Sequence, residues 1–150
     1  TLDKRIVKSG MTTRKEGIHV DGFQGARLKD KLPIDHYYIV SSNNPTIFYN
    51  QKLEVFKNWD KTCHNYFEVF EKQKNGTAQI TYPNHNVLLL DAYCLHEAPV
   101  VMEDVFRTFL RLSYTVREFD RLGNSHNSMF DYEWTMYPRD TQRSLSCPIK

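Results

Sequence analysis

The sequence predicts a mainly β protein, a jelly-roll barrel interrupted by one amphipathic helix. Three observations lead there. Several short apolar or alternating segments are separated by turn-forming residues, as in antiparallel β architectures. Only one stretch has helical periodicity, too little for a repeating βαβ fold. The chain has 150 residues, enough for one domain around one core.

In order along the chain, candidate strands cover 4–9, 16–23, 36–42, 46–50, 77–82, 86–93 and 105–117. The second alternates through Gly17-Ile18-His19-Val20-Asp21-Gly22-Phe23, with glycines permitting tight exits. Ser41-Ser42-Asn43-Asn44-Pro45 forms the turn between the third and fourth. Over 53–72, Leu53, Phe56, Trp59, Cys63, Tyr66, Phe67 and Phe70 recur every three or four residues, which predicts a helix ended by Asn75-Gly76. Its aromatic stripe is read as packing against the sheet. The apolar run from Val87 to Tyr93 opens after the turn signal Tyr82-Pro83-Asn84-His85. The last strand is rich in aromatic, Leu, Thr and Val residues. Residues 125–137 carry His126, Phe130, Tyr132, Trp134 and Tyr137 without clear period, and read either as a lid over the barrel mouth or as a cover on the sheet. The domain is expected over 1–138, with 139–150 a polar, poorly ordered tail.

Composition narrows the class. A net charge of +2 gives no argument for nucleic acid, and 40% hydrophobic with 25% charged residues is ordinary for a soluble globular chain. Lys4, Arg5, Lys8, Arg14 and Lys15 crowd the start, opposed by Asp3 and Glu16, and are read as a solvated segment. Cys63, Cys94 and Cys147 have no paired spacing, so neither a disulfide framework nor a zinc site is indicated, and a reducing, cytoplasmic setting is expected. No signal peptide or spanning apolar run is seen.

The chemistry is concentrated at His19, Asp21 and His96. Residues two apart on a strand face the same way, so His19 and Asp21 can share one metal, and His96 sits at the exit of a buried strand where it would be held rigidly. A His-x-Asp is expected by chance roughly 0.4 times in a chain of this composition, so the setting carries more weight than the spacing. Two imidazoles and one carboxylate on one face of an octahedron leave the opposite face open, as in non-haem Fe(II) oxygenases. Cys94 would share the face of His96, and is read as a small core hydrophobe.

In 105–117, alternation puts Arg107, Phe109, Arg111 and Ser113 on one face and Phe106, Thr108, Leu110, Leu112 and Tyr114 on the other. The arginine face would ordinarily be the solvent side. If it instead lines a barrel, a buried guanidinium needs an anion, and a dicarboxylate suits a bidentate fork.

These residues resemble the Fe(II)- and 2-oxoglutarate-dependent dioxygenases, particularly the phytanoyl-CoA-hydroxylase-like branch, over about 15–117. The resemblance implies a double-stranded β-helix, cupin-like in form, with His19, Asp21 and His96 as metal ligands. It implies an arginine for the far carboxylate of 2-oxoglutarate: Arg107 is favoured, with Arg111 as a second contact and Ser113 completing an Arg-x-Ser pair. Tyr37, Tyr38 and Ser41 are candidates for hydrogen bonds to the co-substrate, Tyr38 foremost, while Gln24 and Arg27 face substrate or solvent. The implied reaction consumes O2, releases succinate and CO2, and hydroxylates a small molecule or side chain. Halogenation is disfavoured because Asp21 occupies the position halide would need. Only 18 residues precede His19, so the chain reads as a trimmed or minimal core.

Overall fold

The structure is a computed structural model that describes residues 1–14, 16–21, 35–54 and 66–116, with 129, 131 and 133. It is mainly β, with two antiparallel sheets and one helix. The strands are β1 (Leu2–Val7), β2 (His36–Ser41), β3 (Ile47–Tyr49), β4 (Gln79–Ile80), β5 (Leu88–Asp91), β6 (His96–Glu97) and β7 (Val105–Tyr114). Helix α1 (Tyr66–Gln73) covers the end of the helix expected over 53–72; Leu53 and Glu54, expected at its start, are not helical, and 55–65 lie outside the described residues. The first sheet has the order β1-β7-β2-β5 and the second β4-β3-β6. Isolated bridges Thr12↔Val100 and His19↔His96 bring the segment 12–19 alongside 96–100, next to β6.

Strand parity decides what faces where. Phe48 pairs with His96 across β3 and β6, so both point to the same side of the second sheet. Phe48 joins Tyr37, Ile39, Leu90, Ala92 and Phe109 in the core between the sheets. Ile18, Val20, Tyr49 and Leu95 have the opposite parity and bury against Phe70 of α1, with Phe67 alongside. The described end of the stripe, Phe67 and Phe70, therefore packs on Tyr49 of β3 and on Ile18, Val20 and Leu95 beside the second sheet.

The first sheet buries Tyr37, Ile39 and Ser41 of β2 and Arg107 and Phe109 of β7. Its other side exposes Leu2, Ile6, Tyr38, Leu89, Phe106, Leu112 and Tyr114. The ordinary solvent-side reading of the arginine face is thus reversed: the cations go in and the apolar row goes out.

Two strand expectations change. In the segment expected as a strand over 16–23, the described residues 16–21 form only the bridge at His19, because Gly17 at φ +90° breaks the extended run just before it; 22–23 lie outside the described residues. The expected strand over 77–82 is shortened to Gln79–Ile80, because Gly76–Ala78 form a 3-10 turn capped by the Asn75 side chain. Residues 125–137, apart from 129, 131 and 133, and the tail 139–150 lie outside the described residues. No helix among the described residues is long and apolar enough to cross a membrane.

Candidate metal centre

His19 and His96 form a reciprocal cross-strand pair. The His19 N–H donates to the His96 carbonyl at 2.8 Å, and the His96 N–H donates back at 3.0 Å. Such a pair holds its two Cα atoms about 5.5 Å apart with both side chains on one face. The imidazole centroids are accordingly 4.4 Å apart. Asp21, two residues on from His19, shares that face. One ligand atom from each of His19, Asp21 and His96 lies within 4.8 Å of the others.

Both rings are oriented by the same local device. Nδ1 of His19 is 2.8 Å from the Gly17 carbonyl, and Nδ1 of His96 is 2.8 Å from the Cys94 carbonyl. A carbonyl has no proton to give, so Nδ1–H is the donor in each neutral ring and Nε2 keeps its lone pair. That outer hydrogen bond to a carbonyl is the usual support of a metal-binding histidine. Ligand atoms about 2.1 Å from a first-row metal sit roughly 3 Å from their cis neighbours. His96 Nε2 and Asp21 Oδ2 are 3.9 Å apart and the whole set lies within 4.8 Å, so about 1–2 Å of side-chain movement would bring it to bonding distance. The donor set fits a divalent metal.

Arg111 Nη1 donates to both oxygens of Asp21, at 3.1 and 3.0 Å. Burial pushes the Asp21 carboxyl up, but the guanidinium of Arg111, and then His96 and His19, outweigh it and hold the group below the usual carboxylate range. The carboxylate is therefore ionised, and its remaining lone pairs can serve a metal while Arg111 stays attached. The Arg111 guanidinium lies over the Tyr37 ring at 5.5 Å, and its buried Nε has no hydrogen-bond partner among the described residues.

Arg107 is 2% exposed. Its one hydrogen bond among the described residues runs from Nε to the Asn43 carbonyl at 2.9 Å. No carboxylate among those residues is within ion-pair distance. Its guanidinium lies 4.9 Å from the Phe109 ring centroid, and the guanidinium of Arg14 lies 5.0 Å from the same centroid. Burial, then Arg14, lowers the pKa of Arg107 to about 10, which still leaves it a cation at neutral pH.

The structure brings His19, Asp21, His96 and Arg111 together, and places Arg107 further along the same inward face. Ser113 lies on that face too, opposite Tyr37 in register. Tyr38 is a correction: strand parity turns it outward, 38% exposed against the Tyr114 ring, so it does not reach the site. Its neighbour Tyr37 is the inward residue and donates its hydroxyl to Asp35 Oδ2 at 2.8 Å. Ser41 is buried at the far end of β2, while Gln24 and Arg27 lie outside the described residues. Cys94 packs beside the inter-sheet core, and burial raises its thiol pKa, in keeping with a hydrophobe rather than a ligand.

Sequence reasoning missed Arg14, which it read as solvated. The chain at 12–14 lies against 99–100 through the Thr13 N–H to Pro99 carbonyl bond, and this carries Arg14 onto Phe109. No periodicity in that stretch signals it. Comparison with models of known families, with curated proteins and with solved structures finds no match.

Proposed function

We propose that the protein is a non-haem Fe(II)- and 2-oxoglutarate-dependent dioxygenase, a hydroxylase built on a jelly-roll of the double-stranded β-helix type. The observation that carries the reading is the convergence of His19, Asp21 and His96, with Nδ1 of each imidazole held by a backbone carbonyl. Iron with 2-oxoglutarate and O2 would supply the oxidation, releasing succinate and CO2. The chain's own residues bind and orient. The Gly17 and Cys94 carbonyls fix the two imidazoles. Arg111 keeps Asp21 ionised and aimed.

The inward arginines favour 2-oxoglutarate over a metal enzyme of the same architecture that does without it. Arg111, in direct contact with Asp21, is too near the ligands to hold the far carboxylate of a bound 2-oxo diacid; that role falls to Arg107, which is buried with no carboxylate of the described residues in ion-pair reach. Tyr37, Phe48 and Phe109 give the inward face an apolar lining.

The test is anaerobic addition of Fe(II) and then 2-oxoglutarate, which should give the weak visible absorption of the chelate, followed by succinate formation in O2. His96→Ala should abolish both. Absence of band and succinate in the unaltered protein would remove this function.

A further inference from the structure

The inward face carries a buried cation, Arg107, beside a half-buried one, Arg14, whose side chain is 36% exposed. Arg107 and Arg14 both lie within about 5 Å of the Phe109 ring centroid. Among the described residues, the nearest carboxylate oxygen to Arg14 is that of Asp3 at 3.8 Å, and Asp3 also serves Arg5 at 3.4 Å. Two guanidiniums on one ring repel each other, and Arg107 is buried with a single carbonyl acceptor. An anion between them would give Arg107 the counter-ion it lacks among the described residues, and Arg14 a second one beside Asp3.

Distance along β7 says which anion. Arg111 marks the level of the metal ligands through its 3.0 Å contact with Asp21. Phe109 lies two residues away on the same face, about 6.8 Å along the strand. A five-carbon diacid spans about 5 Å between its carboxyl carbons, given C–C bonds near 1.5 Å. A diacid chelated at the level of Arg111 therefore ends at the level of Phe109, and falls short of the Cα of Arg107, about 13 Å from that of Arg111. Arg107 reaches back to this level, and Arg14 arrives from the opposing segment.

We propose that Arg14 is a co-substrate-binding residue that pairs with Arg107 to clamp the far carboxylate of 2-oxoglutarate over Phe109. The inference rests on the 2-oxoglutarate reading of the site and adds a ligand contributed from outside β7. It makes selection of a dicarboxylate over a monocarboxylate 2-oxo acid a joint property of two segments far apart in sequence.

The experiment titrates the full-length, Fe(II)-loaded chain anaerobically with 2-oxoglutarate and with 2-oxobutanoate, which keeps the chelating end and lacks the far carboxylate. Arg14→Gln should weaken 2-oxoglutarate binding about 10- to 100-fold, the loss of a charge-assisted contact, and leave 2-oxobutanoate unchanged. Arg14→Lys, which preserves charge and foldability, should weaken 2-oxoglutarate alone by a smaller factor, and it decides the matter if the Gln variant does not fold. Unchanged 2-oxoglutarate affinity, or an equal loss for both acids, overturns the role of Arg14 while leaving the dioxygenase reading in place. Failure of the unaltered protein to bind either acid in the presence of Fe(II) removes that reading and this inference together.

Discussion

Arg107 puts a full charge in the interior with one neutral acceptor, and that has a measurable cost. Burying a guanidinium without a counter-ion destabilises a fold, and replacing a buried charged group with an apolar one of similar volume is often stabilising by about 1 kcal/mol or more. Arg107→Met should therefore raise the urea midpoint of the ligand-free protein while removing most of the extra stability that 2-oxoglutarate adds to the Fe(II)-loaded protein. A lowered ligand-free midpoint would argue that Arg107 is structural. Tyr37 and Tyr49 give a pH prediction. Burial pushes both phenols up from 10.0 to about 12, with Tyr49 raised further by the hydroxyl it donates to Glu97. A raised pKa means the folded state keeps a proton that the unfolded chain releases. That stability is complete below pH 10 and is lost as pH rises through about 12. Thermal melts across this range should show the fall, and Tyr49→Phe should flatten it while costing about 1 kcal/mol at neutral pH. At this scale His19, Asp21 and His96 were legible, since spacing and strand position are written in order along the chain. Of the candidates Tyr37, Tyr38 and Ser41, Tyr38 alone faces outward, because successive residues of a strand point to opposite faces.

At the scale of elements, the short segment around His19 depends on Gly17. Its φ of +90° ends the preceding path and sets the carbonyl that accepts the His19 Nδ1 proton. A Cβ there meets no atom within 4 Å, so the penalty of a substitution is backbone strain rather than collision. Gly17→Ala should cost about 1–2 kcal/mol in stability. Because the carbonyl moves with the backbone, it should also weaken metal affinity by about tenfold, measured by competition with a chelator. The glycines flanking this stretch were visible in sequence as strand exits, but their composition could not say that one of them would cut the strand short. The helix was legible from its aromatic period, and Phe70 against Ile18, Val20 and Leu95 shows the stripe serving as core.

Across the whole molecule, two antiparallel sheets enclose both an apolar core and a charged one. Alternation in β7 separated its two faces correctly, but the identity of the inner face depends on β1, β2 and the second sheet, none of which the strand encodes by itself. Arg14 was hidden for the same reason: its partners Phe109 and Asp3 come from other strands. Ligand linkage offers a global check. At free Fe(II) 100 times its dissociation constant, the folded state should gain about 2.7 kcal/mol, an increase that His96→Ala should remove from the melting curve.

The reciprocal amide bonds of His19 and His96 place two of the three proposed ligands directly across from each other in one ladder rung. An ion bound there would act as a rivet through that rung, so that parting the two segments requires breaking coordination as well as two hydrogen bonds. Deuterium uptake at these two amides should then slow sharply on loading, far more than at Thr13 or Val101, whose rungs lie along the same seam without a ligand pair.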